Sequence, residues 1–294
     1  MIHKCYKTHY NSQVRKIHKY FSSATHFNDV EAVHELRVEI KRLLALVNLI
    51  ALFISEFKVK SDFKQIKSLF KKAGILRNIH IYQEIARYWT HELHLNVNEY
   101  HNFLKEHEMR ARKEFLKSAK NFDFRHFDKL RNSIFKPMKH INEDMLKHKT
   151  YHYLVSLAQN MIQVKSRAEM VENDFHELRI MSKESMYIIE LIQKCITTQS
   201  LFEEIRKALK ALHQVLGKWH DDVIAMEFFQ IFMEQHSGYS FNNKNSYIEY
   251  YIAIEGDIKS LLGEFEEKWE SFFIMAKPLE ESFPLNTVPE LPCQ

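Results

Sequence analysis

The stretch VHELRVEIKR, residues 33–42, returns in thinner form as FHELRIMSKE, residues 175–184. His34 and Arg37 recur as His176 and Arg179, an offset of 142 (from 34 to 176). A second pair follows, GILRN at 74–78 and GKWHD at 217–221, at an offset of 143 (from 74 to 217). Two separate matches at nearly one spacing indicate an internal duplication. The economical architecture is all-α, with two four-helix bundles of antiparallel helices related by an approximate two-fold axis and equivalent helices meeting at the centre.

Composition agrees with a helical chain. The 294 residues contain only 5 Gly and 5 Pro, while Leu, Ile, Lys, Glu and Phe are abundant, the make-up of long helices joined by few turns. Apolar periodicity predicts helices near 10–24, 30–55, 61–90, 96–119, 124–147, 151–170, 174–196, 201–234 and 245–276. Asn28 and Asp29 stand as caps before the second, and Ser200 with Glu203 has the spacing of a capping box. HSGYSFNNKNS, 236–246, is the clearest internal loop, and from Lys277 four of the five prolines (Pro278, Pro284, Pro289, Pro292) predict an extended tail. The chain therefore reads as one domain, 1–294, made of repeats at about 1–147 and 148–276 with a Pro-rich tail at 277–294.

Cys5, Cys195 and Cys293 are odd in number and lack CxxC spacing, so neither a disulfide framework nor a zinc knuckle is expected and a reducing cytoplasm fits. MIHKCYKTHY at the N-terminus has no apolar core of a secretory signal. LLALVNLIALFI, 43–54, is too short to span a bilayer and contains Asn48, which predicts a buried core helix and no membrane segment. The net charge of +4 conceals an asymmetry: residues 1–146 carry 27 Lys and Arg against 16 Asp and Glu, leaving 15 against 22 for the remainder. An excess of that size predicts a positive surface that attracts anions.

On a helix turning about 100° per residue, His34, Arg37 and Lys41 fall within roughly a 60° arc. His176, Arg179 and Lys183 do the same in the second copy, with Tyr187 and Glu190 continuing that stripe. Val33, Leu36, Ile40, Leu43 and Val47 lie to one side of the first stripe, so its cations border a packed surface. One such stripe is most simply a solvated face with i,i+4 partners. Two facing each other would make a groove in which guanidinium forks meet phosphate oxygens.

The chain resembles the CHAD family, the conserved-histidine α-helical domain. The resemblance rests on His34, Arg37, Val38, Lys41 and Arg42; on Gly74, Arg77 and Asn78; on His176, Arg179, Lys183, Tyr187 and Glu190; and on Leu216, Gly217, His220 and Asp221, in order and spacing over about 30–276. It implies paired four-helix bundles with a basic central channel that binds inorganic polyphosphate, and an association with polyphosphate granules. The chain departs from the family pattern at Leu44, Ile180 and Met186, where cations are expected, at Glu184, and at Asn78 in place of Asp. These losses thin the second stripe and point to the N-terminal half as the stronger binder.

Lys64, Lys67, Lys71 and Lys72 before Gly74, and Lys207, Lys210 and Lys218 around Gly217, are further candidates to line the groove, though each taken singly fits a solvated face. Gly74 and Gly217 fit a close helix approach or a kink. His220, Asp221 and Asp222 could hold a metal, but further ligands cannot be assigned and ion pairing is the simpler reading. His91 with His94, and His148 with His152, have helical spacing without a third ligand. Glu264, Glu266 and Lys268 spell ExExK in a helical, C-terminal setting where the motif has no strand to sit on. There is no P-loop, Rossmann glycine motif or GxSxG elbow.

The expectation is a non-enzymatic cytoplasmic module with no cofactor and no metal site, binding polyphosphate through His34, Arg37, Lys41, Arg42, Lys71, Lys72, Arg77, His176, Arg179, Lys183, Lys210, Lys218 and His220. The histidines would donate to phosphate, so that affinity strengthens as pH falls towards about 6. Nucleic-acid binding, metal-dependent phosphoester hydrolysis through Asp221, and a purely structural role are the alternatives.

Overall fold

The computed structural model describes residues 1–26, 29–54, 63–197, 199–236 and 243–282. Among these residues the chain is all-α, without a strand. Its helices are α1 (Ile2–His26), α2 (Val30–Ala51), α3 (Lys64–Glu92), α4 (Asn98–Lys120), α5 (Arg125–Met138), α6 (Glu143–Lys165), α7 (Glu172–Cys195), α8 (Ser200–Gln235) and α9 (Lys244–Ser282).

The apolar stripe read from the sequence is the buried face of α2: Val33, Leu36, Ile40, Leu43 and Val47 are each at most 2% exposed. Asp29 opens that helix by accepting from the Ala32 backbone N–H at 3.1 Å, satisfying one of its orphan donors. Asn28 lies outside the described residues. The apolar run at 43–54 ends α2 inside the core, and no described helix is long and apolar enough to cross a membrane.

Neighbours in sequence pack in order, α1 on α2, α3 on α4, α6 on α7 and α8 on α9. Across the middle, α2 packs on α7 and α3 on α8. These are the helices that carry the matched blocks, HELR on α2 and α7 and the two glycine blocks on α3 and α8. All four motifs therefore sit on helices that pack against the helix carrying the matching block. A ring cluster of Tyr100, Phe229 and Tyr250, with centroids 4.8 to 5.7 Å apart, fixes α4 and α9 against α8.

Besides α1, which begins at Ile2 and not near residue 10, the structure differs from expectation in four respects. The span 124–147 divides into α5 and α6, because Pro137 stands in the last turn of α5 and Asn142 starts α6 by accepting from the Asp144 N–H at 2.7 Å. Ser200 is already helical, and Glu203 is taken by Arg206 at 2.7 Å and Gln193 at 3.1 Å, so the capping box does not form. The helix α9 runs through Pro278 instead of becoming extended at Lys277, since Ala276 and Leu279, each 1% exposed, are held in the core. Pro284, Pro289, Pro292 and most of the 236–246 loop lie outside the described residues.

The fourth difference is covalent. Cys5 on α1 is disulfide-bonded to Cys195 at the end of α7, across 190 residues of chain. The spacing argument missed it because the partners meet only once both repeats are folded, and it removes the cysteine argument for a reducing compartment. Cys293 lies outside the described residues. Closing so long a loop in the unfolded chain is worth about 2 kcal/mol or more. Reduction, or Cys5→Ser, is thus expected to lower Tm by about 4 °C in a thermal melt; an unchanged melt with and without reductant would show that the bond contributes nothing.

Candidate functional site

The two HELR helices face each other. Arg37 and Lys41 from α2, Arg77 from α3, and Arg179 and Lys183 from α7 line one cleft of about 360 Å³, together with His34, His176 and His220. Those five cations share the lining with a single carboxylate, Asp221. Asp221 lies 3.9 Å from Arg179, at the limit of an ion pair. Lys41 and Lys183 have no carboxylate at ion-pair distance among the described residues. Taking cations out of water without partners is costly, so the cluster carries unmet demand for negative charge.

The cleft's electrostatics record that demand. Burial, then the charges of Arg179, Arg37 and Lys183, bring the Lys41 ammonium down to about 7. Burial followed by Arg179 and Arg77 brings Arg37 down to about 10. Arg179 and Lys183 are also lowered, chiefly by burial, and Arg179 Nε is buried without a hydrogen-bond partner. Burial raises Asp221, although Arg179, Arg77 and Lys41 pull the other way.

Gly74 explains how Arg37 is held. The Arg37 guanidinium lies over the Phe70 ring at 4.3 Å and Nη1 donates to the Phe70 carbonyl at 2.9 Å. A Cβ on Gly74 would overlap Nη1 and stand 3.0 Å from Cζ. This glycine therefore provides a seat for an arginine. Gly217 has nothing within 4 Å of where its Cβ would be, so the close approach expected there is absent.

Five of the candidate cations sit elsewhere than in this lining. Arg42 bonds Glu39 at 2.7 Å, stands 3.7 Å from Glu190 and lies 5.4 Å from the centre of the Tyr187 ring. Lys72 pairs with Glu114 at 3.2 Å, and Lys71 and Lys210 are exposed. Lys218 lines an adjoining cleft of about 660 Å³ but is paired with Asp257 at 2.8 Å. The motif reading also missed His213, which lines this cleft and donates to or accepts from Ser182 Oγ at 3.3 Å. Its signal was present, since residue 213 is two turns before His220 on one face of α8.

Burial and neighbouring cations work against protonation of the histidines, on which the expected pH response rests. Burial, then Arg179, His176 and Lys41, push His220 down to about 3; burial, then Lys183, does the same to His213; His34 and His176 are lowered mainly by burial. His213 and His220 are therefore neutral at pH 6. Lys41 takes over the role: a bound anion raises its pKa, so binding takes up a proton wherever the free group is neutral. Polyanion affinity is therefore expected to rise as pH falls from 8.5 through about 7, by up to roughly tenfold per pH unit per proton. The sign is opposite for folding, where the lowered Lys41 favours higher pH between about 7 and 10.5. Lys41→Arg should flatten the binding profile in a pH-dependent titration; an unaltered slope would clear Lys41 of the role.

Glu31, His34 and Glu35 bring ligand atoms within 4.8 Å of one another on the first turns of α2, a grouping the sequence reading did not single out. Acids there also complement the helix N-terminus, and one helical turn presents only part of a coordination shell. Asp221 and Asp222 belong to no such group with His220 among the described residues. Glu266 of the ExExK pattern is on α9 and pairs with Lys165 at 3.0 Å.

Comparison with known proteins places this arrangement. The family model for the CHAD domain matches residues 9–230. The crystal structure of the CHAD domain from the plant Ricinus communis is similar at a TM-score of 0.66 and 15% identity, covering 95% of this chain and 92% of that one. PptA from Streptomyces chartreusis is similar at 0.67 and 10%, covering 91% and 99%. No curated protein matches the chain. At such identities the two structures share the fold.

Proposed function

Because the chain belongs to the CHAD family, we propose that it is a non-catalytic binder of inorganic polyphosphate, held in the cleft between α2 and α7. One observation carries this reading: five cations with one carboxylate in a half-buried cleft, a combination that a polyanion completes. Arg37 and Arg179 would take phosphate oxygens in bidentate fashion, with Lys41, Lys183 and Arg77 as point charges. Arg77 is partly committed to Glu84 at 2.9 Å. Both repeats supply cations, three from the first and two from the second. Association with polyphosphate granules would follow from the same affinity.

The test is competition between long-chain polyphosphate and single-stranded RNA, with wild type beside Arg37→Ala/Arg179→Ala. Polyphosphate should win on the wild type and lose its advantage on the variant. RNA winning would favour the nucleic-acid reading, and equal affinity of both proteins for polyphosphate would remove the cleft from consideration. Metal-dependent phosphate release abolished by Asp221→Ala would identify a hydrolase instead.

A further inference from the structure

Three of the five departures from the family pattern, Leu44, Ile180 and Glu184, line a single slot of about 210 Å³ that opens off the cationic cleft. The two spaces share Lys41, Arg179 and Lys183, along with Phe70, Ile180 and His213. From that charged mouth the slot runs along α2 past Leu44 and Ala45 to Asn48, seven residues or about 10 Å of helix axis from Lys41. Its far side is closed by polar groups. Asn48 Nδ2 donates to Glu184 Oε1 at 2.9 Å, and the Tyr153 hydroxyl donates to the same oxygen at 2.7 Å.

A bare phosphate chain is a poor occupant of this space. Beyond the charged mouth its walls are largely apolar, so phosphates entering it would lose water, move away from the cations and approach the Glu184 carboxylate. The slot suits an uncharged, largely apolar group that is joined to a phosphate chain and carries N–H donors at its far end. Both bonds to Glu184 fall on Oε1, which leaves Oε2 as an acceptor. Tyr187 also lines the slot, 6% exposed, and its hydroxyl is buried with no hydrogen-bond partner. Apolar walls with a few convergent polar groups are the usual make-up of a small-ligand site.

We infer that this chain binds nucleoside 5′-polyphosphates, with the phosphates on Arg37, Lys41, Arg179 and Lys183 and the base in the slot, its amino group donating to Glu184. The inference rests on the polyphosphate reading of the cleft and adds a ligand class to it. Purely electrostatic recognition predicts the opposite preference, since inorganic tripolyphosphate carries more negative charge than ATP. The sign of the preference is therefore diagnostic.

The experiment is calorimetric titration with ATP, UTP and inorganic tripolyphosphate. Wild type is expected to bind ATP about tenfold more tightly than tripolyphosphate, with UTP, which has carbonyls where adenine has its amino group, between them. Ile180 is 50% exposed, so Ile180→Lys should fold normally and, by giving the slot a cation, reverse the order of ATP and tripolyphosphate. Tripolyphosphate binding as tightly as ATP to wild type would overturn the inference and leave the polyphosphate reading standing. An ATP preference that Ile180→Lys does not alter would overturn the assignment to this slot. Binding of none of the three would overturn the inference, and the polyphosphate reading would then rest on the long-chain competition with RNA.

Discussion

Replacing Arg37 and Arg179 together by alanine is expected to weaken polyphosphate binding by at least roughly 100-fold and leave the fold intact. A hydrogen bond to a charged group contributes about 1.5 to 3 kcal/mol. Both arginines lie among like charges, so removing either also relieves repulsion in the free protein, and the lower end of that range applies. Two losses of about 1.5 kcal/mol make roughly 3 kcal/mol, or somewhat over 100-fold. The slope of log affinity against log salt should fall in magnitude by about 2, on the analogy of nucleic-acid counterion release. Fluorescence titration at several salt concentrations checks both quantities. A smaller affinity with an unchanged salt slope would mean that the arginines shape the cleft without meeting the ligand.

Gly74→Ala is expected to weaken the same binding about tenfold, although position 74 makes no contact with a ligand in this reading. The added methyl group displaces the Arg37 guanidinium from its seat on α3 and from the Phe70 carbonyl and ring. What moves is the far end of a flexible side chain, so the fold survives. Alanine is favoured over glycine in a helix by about 1 kcal/mol, which offsets the lost arginine contacts and keeps Tm within a few degrees. Gly217→Ala is the control: with nothing within 4 Å, it should gain the helix preference and leave affinity unchanged. Equal binding by wild type and Gly74→Ala would show that Arg37 works equally well from another position.

The central helices were legible in the sequence because their motifs are local. The HELR blocks have helical spacing, and their apolar neighbours Val33, Leu36 and Ile40 repeat with the period of a buried face. What escaped the sequence depends on contacts between distant segments. The Cys5–Cys195 bond joins residues 190 apart, and the pairing of Lys72 with Glu114 or Lys218 with Asp257 decides whether a lysine is available. The same holds for protonation. Lys41 and Lys72 look alike as letters, yet only Lys41 is packed among Arg37, Arg179 and Lys183, which with burial brings it to about 7. The slot was half visible: Leu44, Ile180 and Glu184 stood out as lost cations, but only the fold shows that they converge on one space.

The first helix reaches across to the other set of helices twice within two residues, through the Cys5–Cys195 disulfide to α7 and through the Tyr6 hydroxyl to Thr150 Oγ1 of α6 at 2.7 Å. A covalent rivet and a buried hydrogen bond side by side leave the two halves little freedom to part along that seam. The covalent tie holds α1 to the C-terminal end of α7, 16 residues along that helix from Arg179 (from 179 to 195). A scaffold pinned in advance in this way would, in the polyphosphate reading, lose little entropy on filling.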